Sequence, residues 1–234
     1  VKSDPGLVPA MMCRLYGSDD LFPDRRMDAC HPYQSVNYVT SHDGFTLYDQ
    51  VSYDFRHNEA NGQNNADGHA ENHSWNCGWE GDIGVPAEVL ALRKRQAKNF
   101  CCLLMLSNGT PMFCAGDEFL NTQFGNNNPY NQDNETTWLD WNRLDENQDI
   151  HRFFKIMIAF RKAHPTLCRS RFWREDVRWF GIDGPIDLSC ESRRLAFFLD
   201  GRSQSDLDLY VMVNAHWEAA RFQLQIPSGR WRRL

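Results

Sequence analysis

SVNYVTSHDGFTL, residues 35–47, decides how the fold is read. Ser35 to Ser41 is rich in β-formers and has no breaker, as expected of a short buried strand. It stops on the polar turn His42–Asp43–Gly44, and Phe45 to Tyr53 then fits a short helix. A strand passing through a polar turn into a helix is the start of a βα unit. The same order recurs downstream. Pro86 opens a helix that Gly109 closes. On it Val89, Leu92, Gln96, Phe100 and Leu103 mark a broad buried face, and Arg93, Lys94, Arg95 and Lys98 mark the wet side. TPMFC, residues 110–114, reads as a second buried strand, followed by the turn AGDE and an Asn-rich loop. Ile150 to His164 reads as a helix ended by Pro165. Strand–helix alternation of this kind implies parallel strands with helical cover.

Outward from this centre the texture differs on both sides. Residues 1–34, with Pro5, Gly6, Pro9, Gly17, Pro23 and Pro32, read as irregular. From Val177 the runs VRWFG, RLAFFLD, LDLYVMVN and ARFQLQI alternate with turns, the pattern of an antiparallel β module. The boundary falls near residue 168, giving an α/β part over 1–168 and a β part over 169–234. Two βα units neither close a barrel nor form a sheet covered on both faces. An eightfold barrel needs about 250 residues, and a strand edge beside residue 35 needs a partner. Further strands are therefore expected to precede this chain.

The charge balance excludes some partners. There are 25 Lys plus Arg against 31 Asp plus Glu, for a formal charge of −6. A nucleic-acid or anionic-membrane surface needs the opposite sign. The longest apolar run, Phe100 to Leu106, is too short to span a bilayer. The eight Cys are scattered without a C-x-x-C spacing, so reduced, mostly buried thiols and a cytoplasmic location are expected.

Several residue groups fit chemistry. In a parallel α/β barrel the strand C-termini form the active face, which is where His42 and Asp43 fall. They suit binding sugar hydroxyls or stabilising a developing cation; equally, Asp43 suits a helix cap and His42 packing under a loop. Asp117 and Glu118 follow the second strand. Together with Asp43 they suggest the carboxylate pair of glycoside hydrolysis, while AGDEF also reads as a turn with a cap. His57, His69, His73 and Cys77 raise a zinc site, but HAENH lacks the H-E-x-x-H pattern and sits among Asn and Gly. Two loops, 57–76 and 121–134, are dense in neutral amides with interleaved Trp and Tyr. They suit an uncharged polyhydroxylated ligand, or tight turns. The candidate binding residues are His42, Asn58, Asn61, Trp75, Asn126, Asn127, Asn128 and Tyr130.

The ordered blocks SVNYVTSHDGFTLYDQVSY, HNEANGQNNADG, SWNCGWEG, LRKRQAKNF, SNGTPMFCAGDEF, TQFGNNNPYNQDNETTWLDW and FRKAHPTL resemble the C-terminal part of isoamylase-type glycogen debranching enzymes. These belong to the α-amylase family, glycoside hydrolase family 13. The resemblance runs from about residue 14 to 168 and continues more weakly through the β module. It implies the last part of a (β/α)8 TIM barrel, with strand seven at 36–41 and strand eight at 110–114, followed by part of an antiparallel β-sandwich domain. It implies retaining cleavage of α-1,6 branch linkages in glycogen, limit dextrin or maltooligosaccharides. It maps the transition-state-stabilising Asp to Asp43, with His42 on the same sugar. The family's nucleophile and general acid have no counterpart in these residues, and IPSGRWRRL leaves the sandwich incomplete. Asn131 stands where the family pattern has Cys. A piece of a debranching enzyme, inactive alone and lacking the N-terminal barrel half, is the expectation. A non-catalytic glucan-binding or regulatory protein of the same ancestry is the alternative. No cofactor is required, and a calcium ion is left open.

Overall fold

The computed structural model describes residues 2–21, 30–226 and 229–234; Pro23, and Pro227 and Ser228 of the closing IPSGRWRRL segment, lie outside them. Residues Val8–Tyr16 form helix α1, which corrects the irregular reading of this segment. Pro9 lies in its first turn, where a missing N–H is harmless, and Gly17 ends it at φ 107°. Val8 and Leu15, two turns apart, bury the same side.

Strand β1 is Val36–Tyr38, shorter than the expected 36–41. Helix α2 is the single turn Leu47–Gln50, with the Thr46 hydroxyl accepting the Asp49 N–H. Phe45 to Tyr53 is therefore helical only at its centre. Helix α3, Ala87–Leu106, follows Pro86, which caps it instead of occupying its first position. Strand β2, Thr110–Met112, pairs in parallel with β1, Val36 opposite Thr110 and Tyr38 opposite Met112. A parallel pair needs a long crossover, and α3 closes it. Side chains alternate across a strand, so Val36, Tyr38 and Met112 share a face. That face is exposed, where the sequence suggested burial. The remainder of the two segments, Val39 and Phe113, turns into the core instead.

Helices α4 (Asn142–Glu146) and α5 (Gln148–Ala163) follow. Arg161, buried in the last turn of α5, donates to Met105 O at 2.6 Å, Ser107 O at 2.7 Å and Gly109 O at 2.5 Å. It thereby satisfies the carbonyls left over where α3 ends and β2 begins. The first core joins α2, α3 and α5 through Leu47, Val51, Ala97, Cys101, Leu104, Ile150 and Phe154.

The β module has strands β3 (Val177–Phe180), β4 (Arg194–Leu199) and β5 (Leu209–Asn214), antiparallel in the order β3–β4–β5. Central β4 is buried from Leu195 to Leu199. Residues 220–226 form no strand; one backbone bond, Gln223 N–H to Ile182 O at 2.7 Å, holds them. The alternation is there, but among the described residues no strand forms a ladder with it. A second core packs Leu167, Trp173, Leu195, Phe197 and Leu199 against Val8 and Leu15 of α1. Leu103, Leu106 and Phe160 from the α/β part join it, so apolar packing runs across residue 168. Among the described residues no helix is long and apolar enough to cross a membrane.

Candidate active site

The carboxyl ends of β1 and β2 lie side by side, and the HDG turn leaves the end of β1. His42 and Asp43 project into solvent, their side chains 91% and 68% exposed, with His42 Nε2 3.5 Å from Asp43 Oδ2. Asp43 does not cap α2, since Thr46 does. After Asp43 the chain turns at Gly44, φ 94°, a conformation that favours glycine. The Gly44 N–H donates to Asn127 O at 3.0 Å, bringing the HDG turn onto the second Asn-rich loop.

The two Asn-rich loops interlock. Asn58 Nδ2 donates to Asn127 Oδ1 at 2.8 Å, and Asn58 Oδ1 accepts the Asn127 N–H at 2.9 Å. Asn126 Nδ2 donates to Asn61 Oδ1 at 2.9 Å. Asn127 Nδ2 reaches His69 O and Asn72 Oδ1. Asn58, Asn61, Asn126 and Asn127 are buried and spend their amides on one another and on Asp67, His69 and Asn72. Gly68 lies so close that a Cβ there would meet Asn127 Oδ1 at 2.2 Å. Asn128 is half-buried and bonded to Asp67 through its amide, whereas Tyr130 is exposed. Trp75 packs against the first core. Thus the side chains of His42, Asp43 and Tyr130 are exposed, whereas the buried amides tie the two loops to each other.

Asp117 and Glu118 take the turn reading. Glu118 Oε2 accepts the Gly116 N–H at 2.8 Å. Asp117 is buried and accepts three donors: the Thr40 hydroxyl at 2.5 Å, Leu47 N–H at 2.9 Å and Cys114 N–H at 3.0 Å. The zinc candidates separate as well. His57 Nε2 contacts Glu80 at 3.2 Å, His69 and His73 are exposed, and Cys77 is buried. Among the described residues no group of three or more His, Cys, Asp or Glu is placed to hold a metal ion. All eight cysteines are free thiols. Sequence reasoning missed Thr40, Asp49 and Arg93, whose partners come from distant segments. Only Thr46–x–x–Asp49, the spacing of a helix cap, could have drawn attention to Asp49.

Burial pushes the carboxyls of Asp49 and Asp117 up to about 6, against hydrogen bonds that lower them. A carboxyl raised above its unfolded value of 3.8 holds its proton more tightly in the folded state. Its stabilisation is complete below that value and is lost as pH rises through the folded one. Asp200 is the opposite case: Arg202 holds it down to about 2, a contribution lost only as pH falls through that range. Together these three groups favour the fold most near about pH 4, and their contribution to the urea midpoint is expected to fall between about pH 4 and 6. A midpoint that climbs steadily from pH 5 to 7.5 would show that these two carboxyls are not raised.

No family model matches the chain. Curated relatives do. Rice chloroplastic isoamylase 3 (Oryza sativa subsp. japonica) is 43% identical over 92% of the chain and 27% of its own length. The glycogen operon protein GlgX homologue of Mycobacterium tuberculosis is 47% identical over 86% of the chain and 30% of its length. The chain belongs to the isoamylase-type debranching family. It spans about a third or less of the relatives it matches. Among solved structures, pullulanase from Bacillus acidopullulyticus superposes with a TM-score of 0.69 at 23% identity, over 97% of the chain and 23% of its own. A mutant pullulanase from Paenibacillus barengoltzii, complexed with maltotetraose, gives 0.64 at 25% identity over 92% of the chain and 28% of its own. Both neighbours are pullulanases. The isoamylase-type chain thus shares the fold of part of a pullulanase, and its own sheets are small.

Proposed function

We propose that this chain is the closing part of an isoamylase-type α-1,6-glucosidase acting on branched α-glucans such as glycogen, limit dextrin and branched maltooligosaccharides. In this reading β1 and β2 are barrel strands seven and eight, residues 1–168 complete the barrel, and 169–234 begin the β-sandwich. The observation that carries it is the exposed Asp43 at the carboxyl end of a parallel pair, the active end of such barrels. Asp43, with His42 beside it, binds hydroxyls of the reacting sugar and stabilises the cationic transition state. Tyr130 and Asn128 extend the contact surface. Asn58, Asn61, Asn126 and Asn127 hold the loops that carry these groups, and Trp75 anchors the first loop to the core. The exposed face of Val36, Tyr38 and Met112 is where the preceding barrel strands pack. A cytoplasmic location accords with the free thiols.

Retaining hydrolysis needs two carboxyl groups about 5 Å apart across the scissile bond. Asp117 and Glu118 are committed to backbone donors, so they do not pair with Asp43. The nucleophile and the general acid belong to the rest of the barrel. The purified chain is therefore expected to release no reducing ends from a branched limit dextrin. Adding the complementary barrel segment on a second polypeptide is expected to restore release. Turnover by the chain alone overturns the reading. Tight maltooligosaccharide binding by the isolated chain, without turnover in any assembly, would favour the non-catalytic alternative.

A further inference from the structure

We propose that Asp117 is the positioning residue of the HDG turn, fixing where Asp43 stands. The inference rests on the reading of Asp43 as the sugar-contacting carboxylate. One side chain closes the turn at both of its ends. Asp117 Oδ2 takes the hydroxyl of Thr40, three residues before Asp43, at 2.5 Å. Its Oδ1 takes the N–H of Leu47, four residues after Asp43, at 2.9 Å. The same Oδ2 takes the N–H of Cys114 at 3.0 Å, so the clamp is anchored to the segment that continues β2. Asp117 is 1% exposed, and its three donors come from three separate segments.

The geometry is specific to a carboxylate. The N–H groups of Leu47 and Cys114 meet different oxygens, so an amide in place of the carboxylate turns its NH2 on one of them. Between the clamped ends, among the described residues, the one other backbone bond from the turn to a distant segment is Gly44 N–H to Asn127 O. That carbonyl is set by the buried amide frame through Asn58 and Asn127. Asp43 is therefore held between a clamp at the turn's base and a tether at its tip, while its own carboxylate stays free for ligand. A group aimed at a transition state must be held before the substrate arrives, because misplacement by about 1 Å loses on the order of a hundredfold in rate.

The test has two parts. In this chain, Asp117→Asn is expected to speed amide hydrogen exchange at Leu47 and Gly44 by about tenfold or more, with Phe197 and Val211 of the β module unchanged. Should that variant not fold, Thr40→Val removes one donor at constant shape and is expected to speed the same two amides by a smaller factor. In a full-length debranching enzyme carrying this segment, Asp117→Asn is expected to lower kcat about ten- to a hundredfold with KM moved less than about twofold. In an Asp43→Asn background the same change is expected to lower kcat no further, because Asp117 acts through Asp43. Unchanged exchange at Gly44 in a folded variant overturns the proposal, as do additive losses in the double-mutant cycle. If Asp43→Asn leaves kcat intact, the role of Asp43 itself fails, and the exchange result still decides the clamp.

Discussion

Asp43→Asn, placed in a full-length debranching enzyme that carries this segment, is expected to lower kcat by about 10²–10³ while leaving the fold unaltered. The magnitude is that of removing one preorganised group aimed at charge developing in a transition state. The substitution keeps the shape and removes the negative charge that, on the function proposed above, faces an oxocarbenium-like centre. Stability should not change, because Asp43 carries no structural bond through its carboxylate: its neighbour is His42, at 3.5 Å, and both side chains are largely exposed. KM is expected to rise modestly, since the amide still hydrogen-bonds sugar hydroxyls in the ground state. Kinetics on a branched maltooligosaccharide, with a urea melt of the same variant, make the check. A fall in kcat of less than about threefold would place the charge stabilisation elsewhere. Loss of folding would show that the turn depends on Asp43 and would reverse the assignment of roles between Asp43 and Asp117.

How far the sequence could be read follows the range of the interactions. The parallel β1–β2 pair was legible because strand, loop, helix, strand is a local order with few topological solutions. Helix α3 was legible from Pro86 and its apolar spacing. Helix α1 was not, because Pro9 reads as a breaker unless its position in the first turn is known. The Asn-rich loops were recognised as special, yet which amides face a ligand was not. Asn58 and Asn127 find each other across 69 residues, and no local pattern encodes that pairing. Asp117 illustrates the same limit. AGDEF announces a turn, but Thr40 and Leu47, which give the carboxylate its purpose, lie seventy or more residues earlier. Residues 220–226 alternate like a strand and, among the described residues, form no ladder, because alternation describes one strand and a sheet needs two.

Arg93 is the residue whose loss should cost the fold most. Its position on α3 suggested the wet side, since a cation beside Lys94 and Arg95 reads as solvated. Instead its side chain is wholly buried and enters the long loop between α2 and α3. Nη1 pairs with Asp82 Oδ1 at 3.0 Å, and Tyr48 donates its hydroxyl to the same oxygen. Nη2 lies against the carbonyls of Gly81 at 3.0 Å, Asn76 at 3.3 Å and Ser52 at 3.4 Å, and against that of Trp79. A loop of this length has few ladder bonds of its own, so its carbonyls need another donor. Arg93 supplies it from a rigid helix, and Glu80 closes the other side by accepting the N–H groups of Asp54 and Phe55. Arg93→Met keeps the apolar stem, leaves the carbonyls without their donor and takes from Asp82 its cation, with only the Tyr48 hydroxyl still donating to it. The Asp82 side chain is 38% exposed and reached by water, so the cost falls on the buried carbonyls left unsatisfied, about 2–3 kcal/mol. Arg93→Lys should recover only part of this, because an ammonium lacks the planar fork that reaches several acceptors at once. Urea melts give the total, and exchange at residues 76–82 shows whether the loop is where the loss falls. Because that loop also carries Asn58, Asn61 and Trp75, the maltooligosaccharide binding proposed above should weaken in the folded fraction as well. A loss below about 1 kcal/mol for Arg93→Met would mean that water can replace the guanidinium, and the loop would then owe its order to the asparagine frame alone.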